Sequence, residues 1–230
     1  MSKKYLHIAL LIHFFFFCFI SQTSAVEKKD TTKINIPFYQ GFTVELDVVP
    51  LAEKLFSSGV SYGYQANVQF NLKKKYFPVI EIGHGGADKT LENGTLFSGK
   101  GMYEKIGLDF NLMKQKPSGK IYNNYLLAGL RFGSAQMIYN INNLSVYDKY
   151  WGEEISSLNY NSVKTSNFWI EVSGGIRVEV AKNIIMGWNV QNKHLLTNIS
   201  NGNLYPWYIP GFGKTASSIW GFSYVIGYKF

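Results

Sequence analysis

His84 and His194 are the only histidines beyond residue 25, and a search for chemistry starts with them. An acyl-transfer site needs a hydroxyl, an imidazole and an orienting carboxylate within hydrogen-bond reach. His84 leads into Gly85-Gly86-Ala87-Asp88, and His194 follows Lys193. No serine stands two residues from either histidine; Ser98, Ser173 and Ser223 lie on separate segments. No catalytic residue is therefore assigned. A barrel enzyme that modifies lipid A or acyl chains through His84 or His194 is carried as the alternative.

Metal and cofactor chemistry find no better footing. Cys18 is the one cysteine, and it lies in an N-terminal apolar run, so disulfides and thiolate metal sites are excluded from the rest of the chain. Asp88, Glu92 and Asn93 lack the spacing of a calcium loop. Gly83-His84-Gly85-Gly86 lacks the strand-to-helix setting of a phosphate-binding loop. No metal and no cofactor are expected.

The remaining ionisable residues follow a pattern. Glu45, Asp47, Glu81, Asp109, Arg131, Glu171, Arg177, Glu179 and Lys229 all sit at alternate positions of apolar segments. The positions between them are apolar: Val44, Leu46, Ile80, Ile82, Leu108, Phe110, Leu130, Phe132, Ile170, Val172, Ile176, Val178, Tyr228 and Phe230. That period of two is the signature of strands with one apolar and one polar face. Eight such segments are expected at about 41–49, 61–72, 76–84, 101–113, 121–138, 163–180, 184–194 and 216–230, with no helix. The connections between them alternate long and short, at 50–60, 73–75, 85–100, 114–120, 139–162, 181–183 and 195–215.

Two architectures accept this pattern. A soluble sandwich or barrel packs its apolar faces together, and a secreted small-molecule binder of that kind is a further alternative. A transmembrane barrel turns its apolar face to lipid and its polar face to the lumen. Glycines on the polar face (Gly63, Gly107, Gly129, Gly175, Gly187, Gly221, Gly227) suit a crowded lumen, and Tyr and Trp near the stripe ends suit an aromatic girdle. Regular alternation of loop length fits long outer loops and short periplasmic turns. The expected fold is all-β: an eight-stranded antiparallel up-and-down transmembrane β-barrel.

Composition agrees. The 230 residues are 46% hydrophobic, 17% aromatic and only 17% charged, too apolar for a disordered chain. Lys3 and Lys4, the run Leu6 to Ile20, and Ser21-Gln22-Thr23-Ser24-Ala25 read as a signal peptide over 1–25. A periplasmic segment is expected at 26–40 and the barrel at 41–230. Losing Lys3 and Lys4 lowers the formal charge of +8 by two, and the dispersed remainder gives no footprint for nucleic acid.

Three runs are distinctive: Tyr76-Phe77-Pro78-Val79-Ile80-Glu81-Ile82-Gly83, Gly187-Trp188-Asn189-Val190 and Trp207-Tyr208-Ile209-Pro210-Gly211-Phe212-Gly213-Lys214. With them the chain resembles an uncharacterised outer-membrane β-barrel family of the Bacteroidota (domain of unknown function family 6048). The resemblance implies a fold and a compartment, the outer membrane of a Gram-negative bacterium, and no activity. The expected role is a non-enzymatic surface, structural or binding component with a plugged lumen. The nine ionisable residues above would form a luminal network. Tyr150, Trp151, Trp207, Tyr208, Phe212 and Lys214, in two long loops, would bind a glycan or an envelope protein or simply cap the barrel. Tyr224, Ile226, Tyr228 and Phe230, the last apolar stripe, resemble a signal for the outer-membrane assembly machinery. Outer-membrane lipid and lipopolysaccharide are the expected surroundings.

Overall fold

The computed structural model describes residues 37–56, 60–113, 124–147, 154–197 and 204–230. Eight strands close a single antiparallel ring: β1 (Tyr39–Asp47), β2 (Ser61–Leu72), β3 (Tyr76–Thr90), β4 (Leu96–Asn111), β5 (Asn124–Tyr147), β6 (Glu154–Ala181), β7 (Ile184–Leu195) and β10 (Ser218–Lys229). Each wall strand pairs with its sequence neighbour in the ring, and β10 returns to β1. The barrel is thus eight-stranded and up-and-down, as the alternation requires. A two-stranded ribbon of β8 (Tyr208–Ile209) and β9 (Gly213–Lys214) sits within the last long connection.

The side-chain period places the expected faces. Leu130, outward, is 60% exposed, whereas its neighbour Arg131, inward, is 5% exposed. Val172, Ile106, Ile82 and Phe222 share the outward, exposed face; Glu171, Lys105, Glu81 and Ser223 share the buried inward one.

Closure depends on a tight approach at the chain end. Gly41 has φ +98°, and a Cβ there would stand 2.1 Å from the Phe230 carbonyl oxygen, so only glycine fits. The Phe230 N–H donates to the Phe42 carbonyl at 2.8 Å, and the two rings stack at 4.9 Å.

Several bounds depart from the expected ones. β1 begins at Tyr39, two residues before 41, and stops at Asp47. β3 and β4 run on to Thr90 and from Leu96, and β5 and β6 reach Tyr147 and start at Glu154. Much of the expected loops at 85–100 and 139–162 is therefore hairpin. These extensions escape the alternation because polar residues fall on both faces, as in Asn140-Ile141-Asn142-Asn143 and Ser156-Ser157-Leu158-Asn159. Their ladder is irregular, with register shifts at Tyr139/Ile141 and Ile141/Leu144. Side-chain amides complete it: Asn140 and Asn159 accept the backbone N–H of Ser162 and Asn143 at 2.7 and 2.9 Å.

The other correction is a helix, α1 (Val49–Phe56), where an unstructured connection was expected. Its start has a local cause. Pro50 has no N–H to give a ladder but suits a first helical turn. The Asp47 carboxylate accepts the Val49 N–H at 3.0 Å, and Leu51-Ala52-Glu53-Lys54-Leu55 are good helix formers. Only eight residues long, it carries too short an apolar period to stand out.

The short turns fall where expected. Lys73 and Lys74 take φ 53° and 54°, and Asn71 accepts the Lys74 N–H at 2.9 Å. At the other turn Asn183 takes φ 66°. The expected connection at 114–120 lies outside the described residues.

Candidate functional site

The lumen is built in three layers. Nearest the turns, Phe77, Tyr125 and Leu127 form a small apolar cluster, with the Phe77 and Tyr125 rings edge-to-face at 4.9 Å. At the loop end, Phe97, Tyr103, Met137, Tyr139, Trp169, Ile209 and Phe212 form a larger one. Between them lies the polar layer.

Arg131 is the hub of that layer. Its Nε donates to Glu81 Oε1 at 2.5 Å, and its Nη1 and Nη2 grip Asp109 at 2.9 and 3.0 Å. Nη1 also reaches Ser173 Oγ at 2.6 Å. Gln69 donates to Asp109 and Gln65 to Glu81. Lys105 joins the hub to β6, with Nζ 3.0 Å from Glu81 and 3.3 Å from Glu171. The Trp169 indole donates to Glu171 at 2.7 Å. A second unit pairs Arg177 with Glu45 through two bonds of 2.8 and 3.0 Å, and Asn189 and Asn67 complete it. Bidentate, charge-assisted bonds of this kind are the strong ones.

Glycine makes the space for the hub. A Cβ on Gly129 would lie 1.8 Å from Asp109 Oδ1 and 2.8 Å from Ser173 Oγ. Aromatic rings use the same device at the loop end, where Gly133 accepts the face of Trp169 and Gly83 that of Tyr103.

Three of the expected members stand towards the ends of the lining. Asp47 caps the end of β1, and its Oδ1 also accepts the Tyr224 N–H at 3.3 Å. Glu179 accepts the Asn183 N–H at the nearby turn. Lys229 is half-buried at the turn end, and its backbone N–H donates to Asn183. Lys105, which shares its parity on β4 with Asp109, also stands in the middle of the network, between Glu81 and Glu171.

Residues 204–215 of the last long connection form a lid. Phe212 is 2% exposed and meets Trp169 edge-to-face at 5.9 Å. Gly211, at φ +75°, lies against the Tyr103 ring, and its carbonyl accepts Lys193 Nζ at 2.7 Å. Trp207 stands 6.2 Å from Phe97, with the Lys214 ammonium 6.0 Å from its ring. Beneath Trp207 and Tyr208 is a cavity of about 550 Å³, floored by Gln65, Lys105 and Gln191. Four of the proposed loop residues thus cap the barrel and roof a cavity at once. Tyr150 and Trp151 lie outside the described residues.

Of the two histidines, His84 lines that cavity at its β3 edge. The His84 ring stacks on Tyr64 at 5.5 Å. His194 lies across from Ser218, whose hydroxyl is bonded to Asn192 at 3.3 Å. Among the described residues no three His, Cys, Asp or Glu side chains converge as a metal site. Tyr224, Ile226, Tyr228 and Phe230 occupy the outward stripe of β10, with Phe230 edge-to-face on Tyr228 at 4.9 Å.

Residues 1–230 match a family described as Domain of unknown function (DUF6048). The chain belongs to that family. No curated protein matches it. Among solved structures, it is similar to the attachment invasion locus protein Ail of Yersinia pestis, in complex with the heparin analogue sucrose octasulfate. That match has 10% identity and a TM-score of 0.38, and covers 83% of this chain and 97% of the other. It is also similar to Neisserial surface protein A, at 10% identity and a TM-score of 0.38, over 84% of this chain and 99% of the other.

Proposed function

We propose that this DUF6048 member is an exported, integral outer-membrane barrel of a Gram-negative envelope, non-enzymatic, with a sealed lumen and a capped outer cup. Its outward stripes face outer-membrane lipid and lipopolysaccharide, and its loop end faces outside, where the cup and its aromatic lid meet envelope or surface partners. The observation that carries this reading is the Arg131 hub. An eight-stranded barrel has an interior just wide enough for side chains to fill. Here that interior holds carboxylates and bases bonded to each other, between two apolar layers. A selective pore would instead line its path with a ring of one sign.

The expected result in planar bilayers is no sustained conductance from the purified protein. Stable ohmic single-channel steps would overturn the sealed-lumen reading and make a narrow pore the function.

The terminal stripe supports a second element of the proposal, recognition by the outer-membrane assembly machinery. Phe230 stacks on Phe42 and directly follows the last strand, Ser218–Lys229. Deleting it is expected to lower assembled, heat-modifiable protein and raise periplasmic degradation. Wild-type levels of assembled protein in the deletion would count against that role.

A further inference from the structure

The end of β1 sets one side of the cavity roofed by Trp207 and Tyr208. The Val48 N–H donates to the Tyr224 carbonyl at 2.9 Å. In that register the next donor towards β10 would be residue 50, a proline with none to give. The strand therefore stops at Asp47. The chain turns into α1, which packs on β2 and β10 and brings Val49 and Pro50 into the lining.

Several polar side chains of that lining have bonding capacity left over. Asp47 accepts the Val49 and Tyr224 N–H groups on Oδ1 alone, which leaves Oδ2 for the cavity. Gln191 gives its amide N–H to Ser223 Oγ at 2.8 Å, so the amide oxygen and the serine proton remain. Lys193 gives one N–H to the Gly211 carbonyl, and an ammonium has three. Asp47, Gln191 and Ser223 are all buried. Buried polar groups are normally satisfied, and the unspent capacity of these three has only the cavity to turn to.

The charges around the cavity leave little excess of either sign. Lys105 spends its own on Glu81 and Glu171, at 3.0 and 3.3 Å, and Lys193 stands 3.9 Å from Glu171. Those two carboxylates lie behind the lining. Among the described residues, Asp47 is the acid on the cavity surface, and exposed Lys214 adds a base at its rim. An apolar occupant would leave the polar groups unpaired, and a multiply charged one would lose hydration without a matching lining. Donors beside acceptors suit hydroxyl groups, each of which does both. The roof suits a sugar ring, whose apolar C–H face packs on aromatic faces such as Trp207 and Tyr208. The volume of about 550 Å³ falls within the range of small-ligand sites, about 300–1,000 Å³. Because Lys214 is exposed, the cavity reaches the surface beside it, at the loop end.

We propose that this cavity is a carbohydrate site for a neutral pyranose, held with its ring against Trp207 and Tyr208. Its hydroxyls donate to Asp47 Oδ2 and Gln191 Oε1 and accept from the Ser223 hydroxyl and the Lys193 ammonium. This rests on the reading of the outer cup above and names its ligand class. A free monosaccharide and the terminal residue of a surface glycan offer the same chemistry.

The test is saturation-transfer NMR on the detergent-folded protein with D-glucose, D-galactose, D-mannose and N-acetyl-D-glucosamine, each free and as its methyl glycoside. The expected result is transfer to at least one of these sugars. Gln191→Leu should weaken its Kd about three- to tenfold, the worth of one neutral hydrogen bond. Trp207→Leu, in the half-buried roof, should weaken it as well and serves if Gln191→Leu does not fold. Binding of methyl glycosides indicates a glycan terminus, and binding of the free sugar alone a monosaccharide; either supports the site. Transfer to none of them, from protein that migrates faster unheated than boiled, would overturn the site and leave the barrel standing. Binding of D-glucuronate without the neutral sugars, or binding that both variants leave unchanged, would also overturn it. Sugar binding by protein recovered from the soluble periplasm would instead overturn the membrane reading and leave the site standing.

Discussion

Arg131→Ala is expected to be among the most destabilising single changes in the barrel, costing about 3–5 kcal/mol, because it strands buried Asp109 without its counter-charge and leaves Glu81 only Lys105. Glu81 and Asp109 are each 5% exposed or less, and both are held by the one guanidinium. Arg177→Ala leaves a single carboxylate, Glu45, which still accepts from Asn67, so its loss should be smaller. Lys100→Ala, on an exposed position of β4, should stay within about 0.5 kcal/mol of wild type. Urea midpoints of the detergent-folded protein measure all three. The mechanism is tested by neutralising the stranded acids: Arg131→Met with Glu81→Gln and Asp109→Asn should recover much of the loss. If the triple variant is no more stable than Arg131→Met alone, stranded charge is not the cause.

The second large effect belongs to the outward face. Leu130 is paired with Leu108 and Val172, in the middle of the apolar stripes. Leu130→Arg should impair insertion, since arginine at the lipid midplane costs roughly 2–4 kcal/mol. Ser166→Arg is the control, on the same outward face of β6 but beyond Phe168 and exposed; it should insert as wild type. Equal assembly of the two variants would mean that the stripe does not face hydrocarbon.

Leu130 and Arg131 also mark what could be read from the sequence. Adjacent residues of a strand point opposite ways, so one apolar and one charged neighbour suffice to assign the faces, and eight such segments with alternating loop lengths suffice for the barrel. The partners of Arg131 were not legible. Glu81 lies 50 residues away and Asp109 22, and only the relative register of β3, β4 and β5 brings them together. The apolar layers inside the lumen were also missed. Phe77-Pro78-Val79-Ile80 is apolar on both faces, so alternation cannot say that Phe77 and Val79 are plugs rather than ambiguous strand positions. The early end of β1 against β10 required one further fact, that the residue due to donate next after Val48 is Pro50. That fact is in the sequence, but it has meaning only once Asp47 is known to sit opposite Val225.

Outward stripes that face lipid hold a barrel in the membrane, and fractionation of cells expressing the full chain tests this most directly. The protein is expected to remain in the outer membrane through high-salt and carbonate washing, and to migrate faster unheated than boiled, as a closed barrel that resists detergent does. Recovery in the soluble periplasm, with a single mobility before and after boiling, would contradict it.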